Sequence, residues 1–339
     1  MVVPPMPGFL RCVIPFASLL WLGAMPASPA VPPWNDSGHQ IIARRAWAEL
    51  APATCARLTE LLQQHPRYEA DLLFGLPSGS DAAATAAHAF AVACTWPDVV
   101  RSVSHPMHRV AHHGPWHYKD IPFVLQDQKV PAPAPAAAGD ASGPRDLLEA
   151  LAKCRADLAD GNLPAADRAV ALCWVLHLTS DLHQPLHACT LYSPQFPLGD
   201  KGGNSFLVLG VGVDPNSRTN LHSVWDGLLG GYKSAAFDAA VAAGLALQPG
   251  LARGDFAARL AVRDPAVWLQ ESHALGVEHA YLRGELKGAA AGADGKAPQE
   301  QVPPLPKGYL AAAEAVAMRQ AALAAFRLAD ALEAVFAPK

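Results

Sequence analysis

The stretch AVALCWVLHLTSDLHQPLH, Ala169–His187, is a long apolar run into which His177 and Asp181 are set. Four residues make about one helical turn, so on a helix from Pro164 to about His183 the two side chains leave one face together. Burying either without a partner would cost several kcal/mol, which leaves a hydrogen-bonded core pair or two grips on one cation. Pro185 disfavours helix at Gln184, so the chain should turn there and bring His187 back toward the pair. The same spacing recurs in NLHSVWD. There His222 and Asp226 stand four apart, Thr219 or Asn220 can cap a short helix, and Trp225 supplies packing. A repeated pair with a further histidine close by favours metal.

Around this segment the chain reads as all-α. Of its 339 residues 51% are hydrophobic, enough to bury a sizeable core. Alanine is abundant, β-branched runs are short and aromatics reach only 7%, which favours helix over sheet. Proline or polar starts predict helices over 37–50, 52–64, 81–93, 144–159, 164–183, 220–227, 234–247, 265–283 and 307–336. Two segments, 129–144 and 288–306, lack periodicity and are rich in Pro, Ala and Gly, so mobile loops are expected there. Candidate ligands lie on both sides of the first, so one domain over 34–339 is expected.

Residues 1–33 differ from the rest. Arg11 is their only charge, and an apolar stretch from Cys12 to Met25 precedes a Pro/Ala/Ser segment, the pattern of a signal peptide. About fourteen apolar residues are too few to span a bilayer comfortably, so the mature protein is expected to be secreted or periplasmic, with no membrane anchor. Without Arg11 the chain carries 25 basic against 30 acidic residues. No basic face advertises nucleic acid, although an enzyme whose metal ions supply positive charge needs none. Cys55, Cys94, Cys154, Cys173 and Cys189 remain, an odd number. One or two disulfides are expected among them, and no CxxC spacing offers a thiolate metal site.

The register that turns His177 and Asp181 inward turns His183 away, so His183 is read as supporting the ligands or the structure rather than joining the ligands. His88, His105, His108, His112 and His113 fall in polar sequence and read as solvated. His65, His273 and His279 read as ordinary helix or surface residues.

Taken in order, these motifs resemble the secreted single-strand-specific zinc nucleases of the S1/P1 (S-one/P-one) nuclease family: W-x4-H from Trp34 to His39, TWPD ending at Asp98, WHYKDIP around His117, H-x3-D-x5-H from His177 to His187, GGN at 202–204, and LHSVWD ending at Asp226. The resemblance implies a mostly helical domain of the phospholipase C/zinc nuclease type with three zinc ions at the bottom of a cleft. It implies that Asp98, His117, His177 and Asp181 hold one zinc. Asp181 would also reach a second, bound by His39 and by the amino nitrogen and carbonyl oxygen of Trp34, while His187, His222 and Asp226 would hold the third. Asp98 would orient or deprotonate the attacking water. Arg101 would stabilise the transition state or else sit in a surface ion pair, and Tyr118 and Asp120 would contact a nucleobase or else simply pack.

The implied activity is hydrolysis of single-stranded DNA and RNA to 5′-nucleotides by a monomer, with 3′-nucleotidase activity as an extension. The bacterial zinc phospholipases C share this fold and much of the ligand set and are the alternative. They typically close the series with H-x3-E, where this chain has Asp226. A non-catalytic zinc-binding protein is a third reading, and it leaves Arg101 without a purpose. The family also needs a free amino group on its tryptophan, whereas this chain reads ASPAVPPW up to Trp34. A cut after Ala30 leaves Val31, Pro32 and Pro33 in front. Either the cut falls after Pro33, or a second trimming follows, or the site that Trp34 completes is weaker.

Overall fold

The computed structural model describes residues 36–131, 143–209, 217–229, 249–292 and 301–336, with the isolated residues 1, 295, 297 and 298. Residues 1–30 separate from 31–339 by internal contacts. Its helices are α1 (Asp36–Trp47), α2 (Pro52–Leu62), α3 (Ala82–Ala93), α4 (Trp96–Val99), α5 (His108–Ala111), α6 (Leu147–Ala159), α7 (Ala165–Asp181), α8 (Leu221–Asp226), α9 (Ala257–Leu260), α10 (Pro265–Leu275) and α11 (Tyr309–Phe336). The fold is helical with only small sheets, as the composition implies. The predicted helix over 234–247 lies outside the described residues.

A helix that is apolar on all sides has to be enclosed. That is the position of α7: every residue from 171 to 190 is buried, and α1, α2, α3, α4, α6 and α11 all pack on it. Local chemistry sets the starts of the surrounding helices. The Asp81 carboxylate accepts from the Ala84 amide at 2.8 Å, Asp146 accepts from the Leu148 and Glu149 amides, and Asn220 accepts from Ser223 at 2.7 Å. Asp146 rather than Pro144 is thus the cap that opens α6. At the other end of α7 the chain leaves the helix as Pro185 requires, with Gln184 extended at φ −83°, ψ 117°.

The predicted helix over 265–283 is interrupted. After α10 the chain widens into a π-helical turn over Gly276–Ala280. Gly276 lies so close to the segment after α7 that a Cβ there would stand 2.8 Å from Cys189 Cβ and 3.0 Å from the Pro185 carbonyl. Only glycine permits that approach.

Two small sheets had no periodic signal strong enough to predict them. Strand β1 (Ile121–Val124) pairs in parallel with β2 (Cys189–Tyr192), Ile121 opposite Cys189. Strand β3 (Phe206–Leu209) is flanked by antiparallel β4 (Arg218–Asn220) and β5 (Ala289–Ala290). The loop expected over 288–306 therefore contains a strand, and Pro304 bridges to Leu209. Both sheets bear on the site, because β1 and β2 follow His117 and His187 while β4 leads into α8.

Two expectations about individual residues are overturned. The five cysteines from Cys55 to Cys189 are free thiols, so no disulfide forms among the described residues. Four of them are buried, and they lie in or next to separate elements. The histidines read as solvated are engaged instead: His88 meets the Phe74 carbonyl at 3.0 Å, His105 meets Asp71 at 3.0 Å, His108 meets the Val100 carbonyl at 2.9 Å, His112 stacks on His108, and His113 stacks on Trp116. His65 is also buried, edge-on to Trp96. The polar sequence between α3 and β1 folds back through short helices against α3, α6 and α7, and that closes these rings in.

Candidate metal centre

Separate elements deliver the proposed ligands. His39 comes from α1, Asp98 from the one-turn α4, and His117 from the 3-10 turn Gly114–His117. His177 and Asp181 come from α7, His187 from the turn Pro185–His187, and His222 with Asp226 from α8. All eight lie in three adjoining groups. Trp34 lies outside the described residues.

In the first group, His117 Nδ1 and His177 Nε2 each stand 3.1 Å from Asp181 Oδ2 and 2.9 Å from one another. The Asp98 carboxylate faces the same two rings at 3.9 and 4.0 Å. In the second, His39 Nε2 lies 3.5 Å from Asp181 Oδ1 and 3.9 Å from Asp98 Oδ2. Asp181 thus turns one oxygen to each group. In the third, His222 Nε2 and His187 Nε2 lie 3.4 and 3.8 Å from the two oxygens of Asp226. Candidate donor atoms fall within 4.8 Å of one another in three sets, His39 with His177 and Asp181, Asp98 with His117 and His177, and His187 with His222 and Asp226, so His177 is common to the first two.

The outer nitrogens fix the rings. His177 Nδ1 is tied to the Cys94 carbonyl at 2.8 Å, His187 Nδ1 to the His117 carbonyl at 2.8 Å, and His222 Nδ1 to the Gly202 carbonyl at 2.7 Å. Each bond leaves Nε2 facing the centre with its lone pair available. A residue that sequence reasoning missed does the same for a carboxylate: Gln184 Nε2 donates to Asp226 Oδ1 at 2.7 Å. Its signal was an amide beside Pro185, between His183 and His187. His183, read as supporting, is fully buried and faces away, with Nδ1 donating to the Thr179 carbonyl at 2.8 Å and Nε2 accepting from Arg327 at 3.0 Å.

The electrostatics ask for cations. His39 Nε2, Asp98 Oδ2, His117 Nε2, Asp181 Oδ1 and His187 Nε2 are buried with no hydrogen-bond partner, although native proteins pair nearly all such atoms. Burial pushes the Asp98 carboxyl up to about 6 despite the neighbouring His177. Burial also resists ionisation of Asp181, yet His177 and His187 outweigh it and hold the group well below the ordinary carboxylate range. Burial opposes charge on His177 too, but Asp181 and Asp98 raise it to about 9. Burial lowers His117 and His187 to about 4. Carboxylates and imidazoles, with no thiolate among them, form a donor set that suits zinc.

A cleft of about 150 Å³ opens on this centre, lined by Arg101, Gly114, His117, Tyr118, His187, Asn204 and His222. Arg101 Nη1 donates to Asp98 Oδ1 at 3.1 Å with its side chain 44% exposed, so the ion pair foreseen for it is with a candidate ligand. Tyr118 is 45% exposed on the cleft wall. Asp120 is exposed and is not among the residues that line the cleft. The protein packed around it raises its carboxyl, while the Thr190 hydroxyl and His222 act the other way.

Comparison with known proteins agrees with this geometry. A family model described as S1/P1 Nuclease matches residues 34–337. Endonuclease 3 of Arabidopsis thaliana is 24% identical over 199 residues, which cover 58% of this chain and 54% of that relative. The chain thus spans about half the length of the curated relative it matches. Because the family match runs from Trp34 through α11 and takes in every residue of the three His/Asp groups, the chain belongs to the S1/P1 nuclease family.

Proposed function

We propose that this chain is an exported, monomeric zinc-dependent nuclease that cleaves phosphodiester bonds of single-stranded DNA and RNA and leaves 5′-nucleotides. The observation that carries the reading is the convergence of three His/Asp groups, two of them joined through Asp181, on a cleft that also bears Arg101 and Tyr118. Family membership supports it.

Zinc held by these groups would supply an activated water and Lewis-acid stabilisation of phosphoryl oxygens. The chain's own residues do the rest. Asp98, with Oδ2 buried and its carboxyl raised toward neutrality, orients the attacking water and accepts its proton. The Arg101 guanidinium reaches the non-bridging phosphate oxygens while staying next to Asp98. Tyr118 offers a face on which a base stacks, and Asp120 accepts from a base N–H. A recessed site favours open strands, because a duplex cannot present its scissile phosphate without unstacking. The same centre would take a terminal 3′-phosphate. Residues 1–33 serve as the export signal in this reading, and no helix among the described residues is long and apolar enough to cross a membrane.

The test is hydrolysis of single-stranded DNA, RNA and phosphatidylcholine by the mature protein, before and after chelation and with zinc added back. Zinc-dependent release of 5′-nucleotides is expected. Activity on the lipid alone would transfer the assignment to phospholipase C, and retained zinc with no hydrolysis would leave a binding protein.

A further inference from the structure

A second cavity, of about 230 Å³, lies among α6, α7, the segment from α9 to α10 and the last turns of α11. Leu158, Val175, Leu260 and Trp268 give it apolar walls, into which Arg155 and Arg327 are set. Both guanidinium groups lie over the Trp268 ring, 5.4 and 4.6 Å from its centre. Their neutralisation differs. Arg327 has Glu271 at 2.9 Å and donates to His183 and to the Arg259 carbonyl. Arg155 Nε and Nη2 are buried with no hydrogen-bond partner, and no acidic group offsets the burial of its charge.

The rest of the cavity does not correct this. Asp330 is engaged by Arg253 and faces Arg263 at 4.0 Å, so its charge is already spoken for at the mouth. Guanidinium nitrogens kept from water without a counter-ion are costly, and an anion removes the cost. Arg263 is 69% exposed at the mouth, where water screens it, so the buried nitrogens of Arg155 are the ones that call for a negative charge. Apolar walls call for an apolar body, which phosphate and sulfate lack. A dry cavity of roughly 150 Å³ takes benzene, so this one has room for a ring or short chain together with its acid group.

We propose that this cavity binds a small amphipathic monoanion, a carboxylate on a short alkyl or aryl body, with the carboxylate against Arg155 and the body against Trp268, Leu158 and Val175. The site uses none of the residues of the metal centre and stands independently of the nuclease reading.

The test is calorimetric titration of benzoate and of hexanoate into the zinc-loaded mature protein, beside Arg155→Met and Ala331→Phe. The second substitution places a ring in the cavity from its half-buried rim. One site is expected in the unsubstituted protein, weakened at least tenfold in both variants, with inorganic phosphate displacing neither probe. Absence of binding overturns the proposal. So does binding that both variants leave unchanged, or that phosphate displaces, since the probe would then be sitting on the metal centre. Should Arg155→Met fail to fold, Ala331→Phe and the phosphate competition decide by themselves.

Discussion

His177 Nδ1 meets the Cys94 carbonyl at 2.8 Å, joining two residues 83 positions apart. The bond ties the end of α3 to the middle of α7 and sets the ring so that Nε2 faces Asp181. Cys94 lies four residues before Asp98, so the same junction carries the TWPD turn to the centre. The metal groups are thereby built from the packing of the core.

Asp181 offers one oxygen to each of two groups, whereas Asp226 serves only the third. Asp181→Ala is expected to empty the two groups it joins, and Asp226→Ala only its own. Zinc content by plasma mass spectrometry checks this, and full zinc in Asp181→Ala would rule out the bridging role.

Arg101→Gln removes the one guanidinium on the cleft wall among the described residues while leaving every candidate metal donor in place. By analogy with the loss of one transition-state donor, kcat should fall by about 100- to 1,000-fold. Zinc content should not change. An unchanged kcat would reduce Arg101 to a surface ion pair.

Gln184→Leu keeps the bulk beside Pro185 but removes the bonds to Asp226 and to the Leu186 amide. Loss of such support typically costs about 10- to 100-fold in metal affinity, and here it should fall on the third group alone. Competition with a calibrated chelator measures it. Equal affinity would mean that α8 orients Asp226 unaided.

Asp200 is fully buried and accepts from the Leu191 amide and the Tyr281 hydroxyl. Burial outweighs those bonds and pushes its carboxyl from 3.8 to about 6. A group whose folded pKa is raised makes the folded state hold more protons, so its stabilising contribution is full below the unfolded value and is lost as pH rises through about 6. The shift corresponds to about 3 kcal/mol between those limits. Urea unfolding of metal-stripped protein at pH 4 and pH 7.5 should show that much less decline in Asp200→Asn, and parallel declines would contradict the assignment.

Burial pushes the Cys154 thiol up to about 12 and raises Cys94, Cys173 and Cys189 further still, while Cys55 is half-buried. A thiol reagent should therefore label Cys55 first in the folded mature protein and all five cysteines after unfolding without reductant. Fewer thiols after unfolding would reveal a disulfide.

Much of the fold was legible because α7 announces itself. Its apolar run, the proline that ends it and the two i, i+4 pairs are local features, and local features are what a helix records in sequence. The short β1 and β2 strands left no such mark, because four residues paired with a distant segment have no periodicity to read. The histidines from His88 to His113 were misjudged for a related reason. Polar sequence describes a segment's composition, and only the surfaces that close over it decide whether it meets water.

The sequence by itself determined which residues could ligate and which of them share a helix face, since a four-residue spacing carries that geometry wherever the helix goes. The tertiary structure alone decided which distant residues meet. His117 and His187 are held together by the parallel pairing of β1 with β2 and by hydrogen bonds from the Lys119 and Ile121 amides to the His187 and Ala188 carbonyls. His39 reaches Asp181 because α1 packs on α7. Such contacts depend on how buried surfaces fit across the whole domain, and no stretch of chain read alone contains that information.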